Sequence, residues 1–256
     1  MTAAAIRLGI ISALHQEQAG LIDAMSNPRI VKRAMRDYVT GRYGSIDCVF
    51  VLSRIGKVAA AATAATLIER FDVTHILFTG VAGAADDAVA IGDIVVAEAL
   101  IQHDMDASPL FPRFEVPLLG LSHFASDKKL TNGLAAAAGL FIQQDLAQAI
   151  NAEDRVRFRL HQPKLHHGLI ASGDAFIDNR THLAELKKKL PEVLAVEMEG
   201  AAVAQVCFEF GVPFAVIRTI SDAANEDSPT DFMRFIERVA AHYAFGIVKR
   251  LCEHPL

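Results

Sequence analysis

Tryptophan is absent from the 256-residue chain, and cysteine occurs three times, at Cys48, Cys207 and Cys252. Cysteines this few and this widely spaced build no disulfide framework and no paired metal-ligand spacing, which points to a reducing, cytoplasmic setting. A large excess of one charge is also missing: 25 Lys and Arg stand against 30 Asp and Glu, for a net charge of −5. This excludes the strongly basic surface that gathers nucleic-acid phosphates. The longest block of like charge is Lys187–Lys189, so no charged tail is expected. There is no uncharged apolar run of about eighteen residues, so no membrane span is expected. The first apolar stretch carries Arg7 and has no basic head before it, so it reads as a strand and not as a leader. The ten histidines show no H-x-x-x-H or H-E-x-x-H pattern, so no metal site is expected.

Apolar residues are plentiful, at 52% of the chain, and 42 residues are alanine. Such a chain can bury a large core. Nothing marks an internal boundary, and residues 1–256 read as a single domain. Short apolar runs alternate with helical patterns. Strands are expected at Ile6–Ser12, Cys48–Ser53, His75–Thr79, Ile94–Ala97, Gly168–Ala171, Val193–Val196 and Pro213–Thr219. Helices are expected at about His15–Met25, Lys57–Arg70, Ser126–Leu140, Arg180–Leu190, Glu199–Phe210 and Asp231–Leu251. The alternation argues for an α/β fold around a largely parallel sheet. Residues 107–123, rich in proline, leucine and phenylalanine, read as a long ordered loop.

Five places carry candidate chemistry. Phe78–Ala84, with Gly80 and Gly83, reads as a glycine turn after a strand, where a ligand can approach the backbone. It is no G-x-G-x-x-G fingerprint. Ser172–Ile177 places Phe176 and Ile177 after a small-residue turn; Phe176 is either core or a stacking face for a flat base. Val196–Gly200 sets Glu197 and Glu199 around Met198, before an apolar helix. They are either partners of the helix dipole or acceptors for paired hydroxyls. Arg218–Asp222 delivers an Asp at a strand's carboxyl end with Ser221 beside it, as a turn residue or an acid of raised pKa. Glu17 follows the first strand, as a dipole partner or a reacting carboxylate. Together these carboxylates, an aromatic face and no metal cluster suggest acid/base chemistry on a flat, hydroxylated ligand.

The same segments, in order from residue 9 to 222, resemble the nucleoside phosphorylase/nucleosidase superfamily. Within it they are most similar to bacterial 5′-methylthioadenosine/S-adenosylhomocysteine nucleosidases. The resemblance rests on Gly9–Leu14 with Glu17, Ile55–Ala60, Thr79-Gly80 with Ala82-Gly83, Gly92–Val96, Ser172–Ile177, Val196–Glu199, and Arg218 with Ile220–Asp222. It implies a three-layer α/β/α fold with a twisted mixed central sheet, a homodimer, and removal of adenine from 5′-thio-substituted adenosines without a cofactor.

By the resemblance, Asp222 is the general acid and Glu17 the base that activates water. Glu199 accepts from the ribose hydroxyls and Met198 packs on the sugar. Phe176 stacks on adenine and the Ile177 backbone reads its edge. Ile55 and Phe232 wall the 5′-thio group, and Gly83, Glu197, Arg218 and Ser221 complete the substrate-binding set. Phosphorylases of the superfamily carry an Arg and a Ser where this chain has Phe78 and Val81, which favours water over phosphate as nucleophile. A purine nucleoside phosphorylase and a non-catalytic nucleoside-binding protein are the alternatives. Two departures stand out: Val81 where hydrolytic relatives have Ser, and Arg54 where Gly is common. In relatives, the loop corresponding to residues 107–120 crosses a dimer, making Phe111 and Pro117 candidates in the neighbour's site.

Overall fold

The computed structural model describes residues 6–18, 20–160, 162–225 and 228–253. Its strands are β1 (Arg7–Ser12), β2 (Ser26–Arg33), β3 (Arg36–Tyr43), β4 (Ile46–Leu52), β5 (His75–Ala84), β6 (Ile94–Gln102), β7 (His123–Ala125), β8 (Leu165–Ser172), β9 (Val193–Glu197) and β10 (Phe214–Asp222). The helices are α1 (His15–Gln18), α2 (Lys57–Phe71), α3 (Lys128–Leu140), α4 (Leu146–Ala149), α5 (Ala152–Arg157), α6 (Arg180–Lys189), α7 (Gly200–Phe210), α8 (Ser228–Phe235) and α9 (Ala241–Glu253). π-helical turns at Phe141–Asp145 and Ile236–Ala240 join α3 to α4 and α8 to α9.

Successive strand residues point to opposite faces, and here both faces are apolar. In β1, Ile10 enters one core and Ile11 the other; in β10, Ala215 and Ile217 oppose Val216. The first core is closed by α3 and α9 through Leu130, Leu134, Tyr243 and Ile247. The second is closed by α2 and α7 through Ala60, Ala64, Leu67, Val203 and Cys207. Sheet strands buried on both faces require helices on both sides, and the expected three layers result. Alanine's use has a local reason: α2 and α7 pack against each other, and small side chains let their backbones approach.

The sheet is mixed. β1 lies parallel between β4 and β5. β10 runs parallel to β5 on one side and antiparallel to β6 on the other. β6 continues parallel to β8, β8 to β9, and β9 returns antiparallel to β5. Thus β5, β10, β6, β8 and β9 curl into a closed ring, from which β1, β4, β3 and β2 extend.

Several elements differ from the sequence reading. The helix expected at about His15–Met25 is a single turn, His15–Gln18, and Gly20 beyond it takes a positive φ of 83°, which no helix continues through. The β2–β3 hairpin was not expected. Its tip, Ala34-Met35, has φ of 45° and 59° without the Asn or Gly that normally marks such a turn. Phe78–Ala84 is no turn but the second half of β5, paired with β10 as far as Gly83. Residues 141–157, left without an element, are largely helical.

Candidate active site

Glu17 sits in the short turn α1, beyond the end of β1, and is almost fully buried. Its Oε2 accepts from the backbone N–H of Ala13 at 2.8 Å and of Leu14 at 2.9 Å; Oε1 accepts from Val81 N–H at 3.1 Å. Burial pushes this carboxyl above its ordinary range, against the Leu14 N–H, the Arg218 charge and the other backbone donors. A Cβ at Gly80 would stand 2.9 Å from Glu17 Oε1. Glycine here makes room for the carboxylate and serves no turn.

Asp222 ends β10, the strand whose every residue is buried. Its Oδ2 accepts from Ser221 Oγ at 2.8 Å, and its Oδ1 from Ala224 N–H at 2.9 Å. Burial raises this carboxyl as well; hydrogen bonds from Ser228, Ser221 and Ala224 oppose the shift, and the Asp231 charge adds to it. A Cβ at Gly83 would lie 2.9 Å from Asp222 Oδ1. The two glycines of β5 thus face the two buried carboxylates, one each.

Glu199 stands at the N-terminus of α7, and its Oε1 accepts from Gly56 N–H at 2.8 Å. Burial, and then the neighbouring Glu197 charge, drive it well above the ordinary carboxylate range. Glu197 is spent differently. Its oxygens accept from Arg218 Nη2 at 2.6 Å, Ser172 Oγ, Gly200 N–H at 2.8 and 3.0 Å and Glu199 N–H at 3.2 Å.

These groups line one cavity of about 320 Å³. Of the residues singled out from sequence, Glu17, Ile55, Gly83, Phe176, Ile177, Glu197, Met198, Glu199, Ser221, Asp222 and Phe232 all line it. Phe176, 41% exposed, meets Phe232 edge-to-face at 5.7 Å. Arg218 is the exception. It is 1% exposed and absent from the lining, with its guanidinium 4.1 Å over the Phe78 ring. The structure therefore corrects its assignment to the substrate-contacting set: it is the buried counter-ion of Glu197, behind the wall.

Ala13, Leu14, Ala82, Ala175 and Val196 also line the cavity; they fall within the segments singled out from sequence but had no expected role there. These apolar residues carry no chemical signal of their own, though Ala13 and Leu14 serve Glu17 through their backbone. The sequence reading missed Ser228, whose buried hydroxyl bonds Asp222. Val81, singled out for lacking a side-chain donor, donates to Glu17 from its backbone. Among the described residues no group of His, Cys, Asp and Glu could hold a metal ion, and no helix is long and apolar enough to cross a membrane.

A family model described as the Phosphorylase superfamily matches residues 7–253. The chain belongs to the phosphorylase superfamily. Among its relatives, the 5′-methylthioadenosine/S-adenosylhomocysteine nucleosidase of Shewanella frigidimarina is 35% identical over 246 residues, 96% of this chain and 99% of that one. The Neisseria meningitidis enzyme of the same name, solved with methylthio-immucillin-A, is 32% identical. It superposes with a TM-score of 0.84 over 96% of this chain and 97% of its own. Futalosine hydrolase of Helicobacter pylori is 30% identical, with a TM-score of 0.81 over 97% of this chain and 98% of its own. The superfamily fold thus extends over nearly the whole chain.

Proposed function

We propose that this chain hydrolyses the N-glycosidic bond of 5′-thio-substituted adenosines, methylthioadenosine and S-adenosylhomocysteine among them, to adenine and a thioribose. The observation that carries this reading is the make-up of the cavity. Glu17, Glu197, Glu199 and Asp222 line it with the face of Phe176, and among the described residues no Lys, Arg or His does. Carboxyl groups, ionised at Glu17 and acidic at Asp222 in this reading, suit a sugar that becomes cationic as its bond to a protonated base breaks. A lining with no cation and an ionised Glu17 disfavours an incoming phosphate. The names of the relatives agree with hydrolysis.

Asp222, kept protonated by burial, gives its proton to N7 of the purine, and adenine leaves with the bond electrons. Ser221, Ser228 and the Ala224 N–H then hold the carboxylate that remains. Glu17, fixed by three backbone donors, takes a proton from the water that attacks C1′. Glu199 accepts from the ribose hydroxyls while Met198 packs on the sugar. Phe176 stacks on the base, Ile177 reads its edge, and Ile55 and Phe232 wall the 5′-substituent. Each contact counts for rate to the extent that it is stronger in the transition state than in the bound substrate.

The assembly we infer is a cytoplasmic homodimer. Leu110 and Leu118, 82% and 90% exposed in the long loop, are the apolar side chains a second subunit would cover. Light scattering of a monomer at micromolar concentration would overturn the dimer. For the reaction, methylthioadenosine in phosphate-free buffer is expected to yield adenine; turnover only on adding phosphate would overturn hydrolysis. A panel including S-adenosylhomocysteine and futalosine ranks the 5′-substituents.

A further inference from the structure

Outside the cavity, three charged residues close a ring of hydrogen bonds. Lys57 N–H donates to Asp174 Oδ1 at 2.8 Å. Asp174 N–H donates to Asp104 Oδ2 at 2.9 Å, and Lys57 Nζ donates to Asp104 Oδ1 at 2.6 Å. Lys57 Nζ also reaches Gln102 Oε1 at 3.1 Å. None of the four lines the cavity, so the mechanism above uses none of them.

The ring ties together three separate pieces of chain. Lys57 opens α2 and follows Ile55 and Gly56, which supply a wall residue and the N–H on Glu199. Asp174 lies two residues before Phe176. Asp104 lies just beyond the end of β6. A Cβ at Gly173 would overlap the ring of His103, so that ring packs directly on the loop backbone. Gly56, at φ 99°, has room for a Cβ only 3.3 Å from Asp174 Oδ1. The Phe176 loop is therefore held by groups that do not line the cavity. Ion pairs of this geometry, partly buried and shared with backbone donors, hold position better than exposed pairs.

We infer that Lys57, Asp104 and Asp174 are positioning residues that hold the Phe176 loop against the start of α2 and thereby set affinity for the adenine ring, while leaving the chemical step unchanged. This rests on the adenosine-cleaving reading above. Asp104→Asn puts an amide donor against a donor, and Lys57→Met removes the ammonium but keeps the stem. Each is expected to raise the adenine Kd and the nucleoside KM by about tenfold, the equivalent of losing roughly one such hydrogen bond, with kcat within about threefold. The double variant should lose little more than either single one, because both break the same ring. Lys57→Arg should restore most of the affinity.

A second readout needs no ligand. Since the chain has no tryptophan, Phe176→Trp places one indole on the loop. In that background Asp104→Asn should raise acrylamide quenching about twofold or more, as the loop loosens. Unchanged quenching, unchanged adenine affinity, additive losses, or a fall in kcat at constant KM would each overturn the inference. Wild-type protein that binds adenine but releases none from nucleosides would sink the functional reading alone. If it bound no adenine, quenching would still decide whether the ring holds the loop.

Discussion

Arg218 and Glu197 form an ion pair of 2.6 Å in which neither side chain is more than 3% exposed. One face of the guanidinium packs on Phe78, and Nη1 lies 3.4 Å from where a Cβ of Gly80 would stand, next to Glu17. One buried cation thus sits between the helix-capping carboxylate and the one assigned to water. Removing one member of such a pair leaves an uncompensated charge in the core. Arg218→Met is expected to lower stability by about 3–5 kcal/mol, measured by urea unfolding. Arg218→Met with Glu197→Gln should be less destabilised than Arg218→Met alone.

The proposed roles require Glu17 ionised and Asp222 protonated, and burial raises both. The rate should fall on the acid side as Glu17 gains a proton and on the alkaline side as Asp222 loses one. Both limbs of kcat/KM are expected above the ordinary carboxylate value of about 4. The Arg218 charge lowers Glu17, so in Arg218→Met the acid limb should move to higher pH. Limbs at ordinary carboxylate values would contradict these assignments; the apparent values belong to interacting groups.

Asp222→Asn keeps the shape and the acceptor for Ala224 but has no acidic proton. A loss of about 10²–10⁴ in kcat is expected, with KM little changed. Glu17→Gln should lose rate to a similar extent and still bind adenine by calorimetry.

Gly83→Ala brings a methyl to 2.9 Å from Asp222 Oδ1 and 3.2 Å from Ala224 Cβ. The carboxyl must shift, and a misplacement of even part of an ångström lowers the rate of a positioned acid. A fall in kcat of about tenfold or more is expected, with the fold retained by circular dichroism.

Glu199 is ionised in the unfolded chain at pH 8 but has a raised pKa in the folded one. Such a group contributes stability below its unfolded pKa, and that contribution is lost as pH rises through the folded value. Glu199→Gln, without this loss, should melt roughly 2–4 °C higher than wild type at pH 8.5, and gain less at pH 5. An equal gain at both pH values would remove the electrostatic explanation.

The carboxylates were legible because each stands beside small residues at the end of an apolar run, and strand ends in an α/β sheet face one edge. Ile10 and Ile11, or Cys48 and Val49, announce strands buried on both sides by being apolar without alternation. The β2–β3 hairpin was not legible, because its tip is Ala34-Met35 and β2 is mostly exposed. The reach of β5 to Ala84 was hidden by its glycines, which ordinarily signal a turn; the buried carboxylates facing them are distant in sequence. Arg218 was misplaced for the same reason. Its position three residues from Ser221 suggested a shared site, but the alternation of a strand, and then the attraction of Glu197, turned it inward. Arg54, at φ 72°, holds the hairpin tip through Nη2 to Met35 O at 2.6 Å, a contact that only the folded hairpin creates.

The last strand along the described chain, β10, is bonded to β5 on one side and β6 on the other. Glu17 comes from the beginning of the chain and Glu199 from the start of α7, but Asp222 takes its place only when this strand enters the gap and completes the ring. A chain emerging during synthesis holds every other carboxylate of the cavity before it holds this one. Asp222 is then the last of the cavity's four carboxylates along the chain, and Phe232 and α9, which follow it, close the wall and the first core; adenine release from a refolding sample would report when all of these are in place.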